Sequence, residues 1–154
     1  MKRRFGLTMV EMLVALAAAS IVIIATAIIL VFGQQSYNRS WQQANLQRDA
    51  ANTMLRIKQS IRNANYTQLD EDELGIKIFR PTGWIRFRFE QGQNDLRYQL
   101  EGEEERTLLD GKVSDATFEI DPSTHKTVTV GLELTQGYCT TKMTSTTLMR
   151  NYGS

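Results

Sequence analysis

Apolar residues follow three successive patterns along the chain. From Met12 to Phe32 there are 21 consecutive uncharged residues, rich in Ala, Leu, Ile and Val and free of Pro and Gly. At the helical rise of about 1.5 Å per residue this run reaches roughly 30 Å, the thickness of a bilayer hydrocarbon core. A helix is the simple way for a single span to satisfy its backbone in lipid. From Gly33 to about Asn65 the pattern thins. Tyr37 and Trp41 stand four apart, and then Ala50, Met54, Ile57, Ile61 and Ala64 recur at steps of three, four and seven. That is the period of an amphipathic helix. With no Pro in the way, the spacing predicts one helix from about Thr8 to Asn65 in three segments. The first is apolar enough to lie in lipid, the second carries few apolar residues, and the third lays Met54, Ile57 and Ile61 on the remainder of the chain. Tyr37 and Trp41 suit either an interfacial anchor or a contact to a neighbouring helix. A helix this long needs tertiary or intersubunit packing to be stable throughout.

Beyond Tyr66 the period changes to two. Asn63 to Asp72 reads as the helix end and a polar connector. Ile76 and Ile78 alternate within Glu73 to Arg80, and Pro81-Thr82-Gly83 marks a turn. In Trp84 to Glu90, Ile85, Phe87 and Phe89 share one face while Arg86 and Arg88 share the other. Gln91 to Asp95 is a hairpin loop, after which Leu96, Tyr98 and Leu100 alternate with Arg97 and Gln99. A charged turn from Gly102 to Glu105 leads into a short strand, Arg106 to Leu109. Val113 to Ile120 points Ala116, Phe118 and Ile120 inward. Thr127 to Thr135 does so with Val128, Val130, Leu132 and Leu134, after a turn that begins at Asp121-Pro122-Ser123. Cys139 to Met149, rich in Thr, reads as a last, edge-like strand. Consecutive strands with short connections predict an antiparallel sheet behind one helix. The expected fold class is α+β, a long N-terminal helix packed on an antiparallel β head.

The residues before the apolar run narrow its meaning. Lys2, Arg3 and Arg4 precede Gly6, and the lone acid Glu11 follows five residues later. A signal anchor would keep the basic leader in the cytoplasm. A secretory signal cut after Ala17-Ala18-Ala19 would leave an apolar IVIIATAIILVF at the new terminus, which fits poorly. Neither accounts for Glu11, and an acid at the edge of a membrane is costly and by default a functional candidate. Cleavage after Gly6 would free the amine of Leu7 with Glu11 one helical turn along.

The arrangement of basic leader, Gly6, then Leu7-Thr8-Met9-Val10-Glu11 and an uninterrupted apolar helix resembles the N-terminus of type IV pilins and type II secretion pseudopilins. The likeness covers about residues 2–32. It implies cleavage between Gly6 and Leu7 by a membrane aspartic prepilin peptidase, methylation of the new amine on Leu7, and an assembly salt bridge made by Glu11. It also implies other pilins or pseudopilins, an inner-membrane platform and an ATPase as partners. Leu7 stands where the family usually has Phe or Met, and the apolar run lacks the proline that many major pilins carry. The tail is similar to minor pilins and J-type pseudopilins at Leu108, Val113, Phe118, Arg150 and Asn151. The missing proline and the tail both lean towards a minor subunit.

The 154 residues carry 18 basic and 17 acidic groups; three of the basic ones lie in the leader, so 15 remain against 17 without it. That balance leaves no electrostatic footprint for nucleic acid. The stem from Gly33 to Tyr66 sets Arg39, Arg48, Arg56, Lys58 and Arg62 against Asp49, whereas the segment from Thr67 on is acidic. Such a stem suits anionic lipid or an acidic neighbour, or is simply a solvated helix surface. A single cysteine, Cys139, cannot form a disulfide within the chain, and reads as a small buried apolar residue. One histidine, His125, in a D-P-S-T-H-K turn, leaves no zinc constellation and no Ser–His–acid triad. Asp70 to Glu73 and Glu101 with Glu103 to Glu105 lack the ligand spacing of a calcium loop and read as solvated turns. Arg86 and Arg88 read as a solvent-facing strand side.

The sequence therefore predicts four parts: a leader at 1–6, a transmembrane and assembly helix at 7–32, an amphipathic stem at 33–66 and a β head at 67–154. The expected protein is a structural subunit, not an enzyme, with no cofactor and no metal. The resemblance further implies a single-pass protein of a bacterial inner membrane with an extracytoplasmic head, which primes or caps a pilus or pseudopilus. The alternative is a membrane-tethered module that recruits an exported substrate or DNA through its sheet.

Overall fold

A computed structural model of the chain describes residues 8–150. The fold is α+β: one long helix and two antiparallel sheets of five and three strands. Helix α1 runs Met9–Arg62, 54 residues without a break, as the absence of Pro allows. The chain divides into two compact units, Met1–Ser40 and Trp41–Ser154.

In the first unit the described residues are helical from Met9, and their large apolar side chains lie open, from Met9 through Val14, Ile24 and Ile29 to Phe32. This helix is long and apolar enough to cross a membrane. Its hydroxyls are turned back onto its own backbone: Ser20 Oγ donates to the Leu16 carbonyl and Thr26 Oγ1 to the Val22 carbonyl, each at 2.8 Å. Both are thereby satisfied without water.

In the second unit the rest of α1 packs on the sheets. Met54, Ile57 and Ile61 are buried, as the three- and four-residue spacing predicts, and the stripe continues back through Ala50 to Leu46. Thr53 and Ser60 flank it, both buried. The Ser60 hydroxyl donates to the Arg56 carbonyl at 3.0 Å.

Seven of the eight strands fall on the alternating segments: β2 (Gly75–Arg80), β3 (Gly83–Glu90), β4 (Asp95–Leu100), β5 (Arg106–Leu109), β6 (Val113–Ile120), β7 (Thr127–Gln136) and β8 (Cys139–Leu148). The eighth, β1 (Tyr66–Leu69), lies where the sequence suggests a polar connector. Its side chains alternate too weakly to announce a strand, but Tyr66 stacks on Phe79 across the ladder with ring centroids 4.1 Å apart. The single expected sheet is two, ordered β1-β2-β3-β4-β5 and β6-β7-β8. Every pairing is antiparallel. The break falls at β5 to β6, where Asp110-Gly111-Lys112 turns the chain; Gly111 takes φ +60° and donates its N–H to the buried Asp95 carboxylate at 2.8 Å.

The core lies among α1 and the inward rows of both sheets: Ile76, Ile78, Ile85, Phe87, Phe89 and Leu96 from the first, Val113, Ala116, Phe118, Val128, Val130, Leu132 and Leu134 from the second. Polar contacts also fasten the helix. Asp49 pairs with Lys112 at 3.0 Å. Arg56 lies 4.1 Å over the Tyr98 ring, and hydrogen bonding from Arg56, reinforced by Arg106, holds that phenol below its usual range. Arg150 donates its N–H to the Arg62 carbonyl at 3.1 Å.

Candidate functional site

Gly6 and Leu7, the residues of the expected leader cleavage and methylation, lie outside the described residues, as does Asn151. Glu11 lies within them, in the first turn of α1. Its Oε2 accepts the Thr8 backbone N–H at 2.8 Å and the Thr8 hydroxyl at 2.9 Å, while the Glu11 N–H donates to Thr8 Oγ1 at 3.3 Å. This is a capping box, in which residues three apart satisfy each other's free amides at a helix start. The acid is thus not left alone in its own chain. The sequence sets Glu11 against the Leu7 amine and does not single out Thr8, although the Thr-x-x-Glu spacing ahead of an apolar run is itself the signature of such a box.

A second arrangement lies on the outward side of the five-stranded sheet. Register places Gln68 opposite Lys77, Lys77 opposite Arg86, and Arg86 opposite Gln99, a polar row across four strands. The β1–β2 loop folds over one end of it. Asp70 Oδ2 accepts from both Nε and Nη2 of Arg86 at 3.0 and 2.7 Å, and Asp72 pairs with Arg88 at 2.7 Å. The acidic run from Asp70 is therefore partly a clamp for strand arginines, and not only a solvated turn. Gly75 permits this approach, since a Cβ there would collide with the Asp70 carboxylate. Between loop and sheet is an open cavity of about 520 Å³ whose lining includes Trp84 and the whole polar row. Lys77 Nζ sits 4.1 Å over the Trp84 ring and 5.2 Å from the centroid of Phe79.

The remaining candidates separate from these. Cys139 is a buried thiol at the start of β8. His125 is exposed in the β6–β7 turn, at φ +52°. There the Asp121 carboxylate accepts the Thr124 hydroxyl at 2.7 Å and the Ser123 N–H at 2.9 Å, and these bonds lower its pKa below the ordinary aspartate value. Among the described residues, no three His, Cys, Asp or Glu side chains gather as metal ligands would.

Comparison of the chain with protein-family models, with curated proteins and with solved structures finds no match in any of the three.

Proposed function

We propose that the chain is a minor-pilin-like structural subunit of a type IV pilus or type II secretion pseudopilus. In this reading prepilin peptidase cuts after Gly6, the Leu7 amine is methylated, and the mature helix rests in the inner membrane with the β head outside the cytoplasm. The subunit then leaves the bilayer, drawn by an assembly platform and its ATPase, and packs its apolar helix against those of other subunits to prime or cap the filament. The observation that carries the reading is the order of features at the N-terminus: basic leader, Gly6, Glu11 at the fifth position after it, and an apolar stretch continuous with a helix whose later turns bury Met54, Ile57 and Ile61. Intact-mass analysis of the membrane-extracted protein tests it. The expected species begins at Leu7 and carries one added methyl group, and replacing Gly6 by a bulky residue leaves the precursor uncut. Retention of Met1, or a terminus at Ser20, would defeat the proposal.

A further inference from the structure

The cavity on the outward face of β1–β4 is lined by three carboxylates, Asp70, Glu71 and Asp72, and three cations, Lys77, Arg86 and Arg88, but they do not all pair. Arg86 is answered by Asp70, Arg88 by Asp72, and Arg97 by Asp95 and Glu105. Lys77 makes no such pair among the described residues; it is half-buried and held against the rings of Trp84 and Phe79. A cation over aromatic faces is attracted to them, but the rings leave its hydrogen-bond donors unanswered. Lys77 is therefore the cation of this lining that has no carboxylate against it among the described residues, the nearby Glu71 lying exposed in the β1–β2 loop. Around that point the lining is planar and polar. Gln68 presents an amide carrying both a donor and an acceptor, Gln99 donates one N–H to the Glu103 carbonyl at 3.2 Å and keeps its carbonyl oxygen and second N–H for a ligand, and the Asp70–Arg86 fork lies between strands. The row from Gln68 to Gln99 crosses three strand spacings, about 14 Å. A lone carboxylate or phosphate would fill little of about 520 Å³. A peptide would want apolar pockets or a free strand edge; this lining supplies Trp84 and Leu69 as its apolar members, and the row lies on a sheet face. A ring bearing several hydroxyls, each both donor and acceptor, matches the amides and the fork, and one carboxylate on it matches Lys77.

We propose that this face binds an acidic saccharide, a short oligomer of uronic acid type, with a ring carboxylate on Lys77 and ring hydroxyls on Gln68, Gln99 and the Asp70–Arg86 fork. The site belongs to the β head and functions whether or not the chain enters a filament.

The test uses the full chain in micelles of lauryldimethylamine oxide, a detergent without a sugar head group. Trp41→Phe leaves Trp84 as the one indole of the chain. Trigalacturonate should give a saturable change in Trp84 fluorescence, and maltotriose, its neutral counterpart, should bind at least about tenfold more weakly, as loss of a charged hydrogen bond implies. Inorganic phosphate at equal concentration should not displace the trigalacturonate. Lys77→Gln should bring its affinity down to that of maltotriose, Lys77→Arg should restore much of it, and Lys142→Gln, on the other sheet, should change nothing. Gln68→Ala should weaken both sugars, which keeps the test decisive if Lys77→Gln fails to fold. Equal binding of maltotriose, displacement by phosphate, indifference to Lys77→Gln or to Gln68→Ala, or no saturation in the millimolar range would each overturn the proposal.

Discussion

A Cβ at position 75 would meet the Asp70 carboxylate and stand 2.9 Å from the Phe87 carbonyl oxygen. The carboxylate can swing away, but the carbonyl belongs to the neighbouring strand and cannot. Gly75→Ala should therefore break the Asp70–Arg86 fork and cost roughly 1–3 kcal/mol, seen as a lowered thermal midpoint, whereas Gly92→Ala, which meets nothing within 4 Å, should be near neutral. Asp95 acts through its acceptors. It is only 5% exposed, and its Oδ1 takes the Gly111 N–H at the point where the chain leaves one sheet for the other. Asp95→Ala strands that amide and should cost about 1–3 kcal/mol. Asp95→Asn keeps an acceptor and should cost less, a difference that denaturant unfolding of the two variants resolves.

Among the elements, the strands that alternate large apolar residues with polar ones were legible directly. Ile85, Phe87 and Phe89 on β3, and Val128, Val130, Leu132 and Leu134 on β7, are buried where their parity puts them. The register of such strands is fixed because a slip of one residue would turn each of these side chains to water. Strand β1 was not legible, because Tyr66 is exposed and only Leu69 of its residues packs against the core. Its place is set by pairing with β2, partners that lie seven to thirteen residues away and that local pattern does not encode. The division into two sheets was likewise hidden, since it turns on a side chain, Asp95, holding a turn. The polar cavity was missed for a related reason. Arg86 and Arg88 are visible as the outward side of a strand, but the loop that folds over them is specified by a glycine and two ion pairs. The β6–β7 turn offers a check on local chemistry. Asp121 accepts from Thr124 and Ser123 as a carboxylate, and its pKa is lowered. Its folded-state pKa therefore lies below its unfolded one, so the stabilisation is present above the ordinary aspartate pKa and is lost as pH falls through the lowered value. Following the Ser123 amide by NMR should give a midpoint below that of an unstructured aspartate, and Thr124→Val should raise it.

At the scale of the whole molecule, the proposed role rests on a helix that must be at home first in lipid and then among its own kind. The capping box makes Glu11 serve two purposes that mutation can separate. As an acceptor it holds the Thr8 N–H and hydroxyl; as a charge it could meet a cation, and in the proposed mature protein the nearest is the Leu7 amine, of its own chain or of an arriving subunit. An acid at the membrane edge is tolerable if answered by a positive charge and costly if not. Glu11→Gln keeps a side-chain oxygen for Thr8 and removes the charge. Glu11→Val removes both, and is readily accepted by the bilayer. Thr8→Ala leaves the charge and the backbone half of the box. If the charge sets axial register in a filament, Glu11→Gln and Glu11→Val should both be inserted and cut at Gly6, yet be recovered poorly in sheared filaments relative to membranes, while Thr8→Ala assembles nearly as wild type. If the box is what matters, Glu11→Gln should assemble and Glu11→Val should fail, because only the latter leaves the Thr8 N–H and hydroxyl without their acceptor at the start of the helix. Assembly of both Glu11 variants at wild-type levels would remove the acid from register altogether, and would fit a cap placed first, with no subunit above it whose amine could pair.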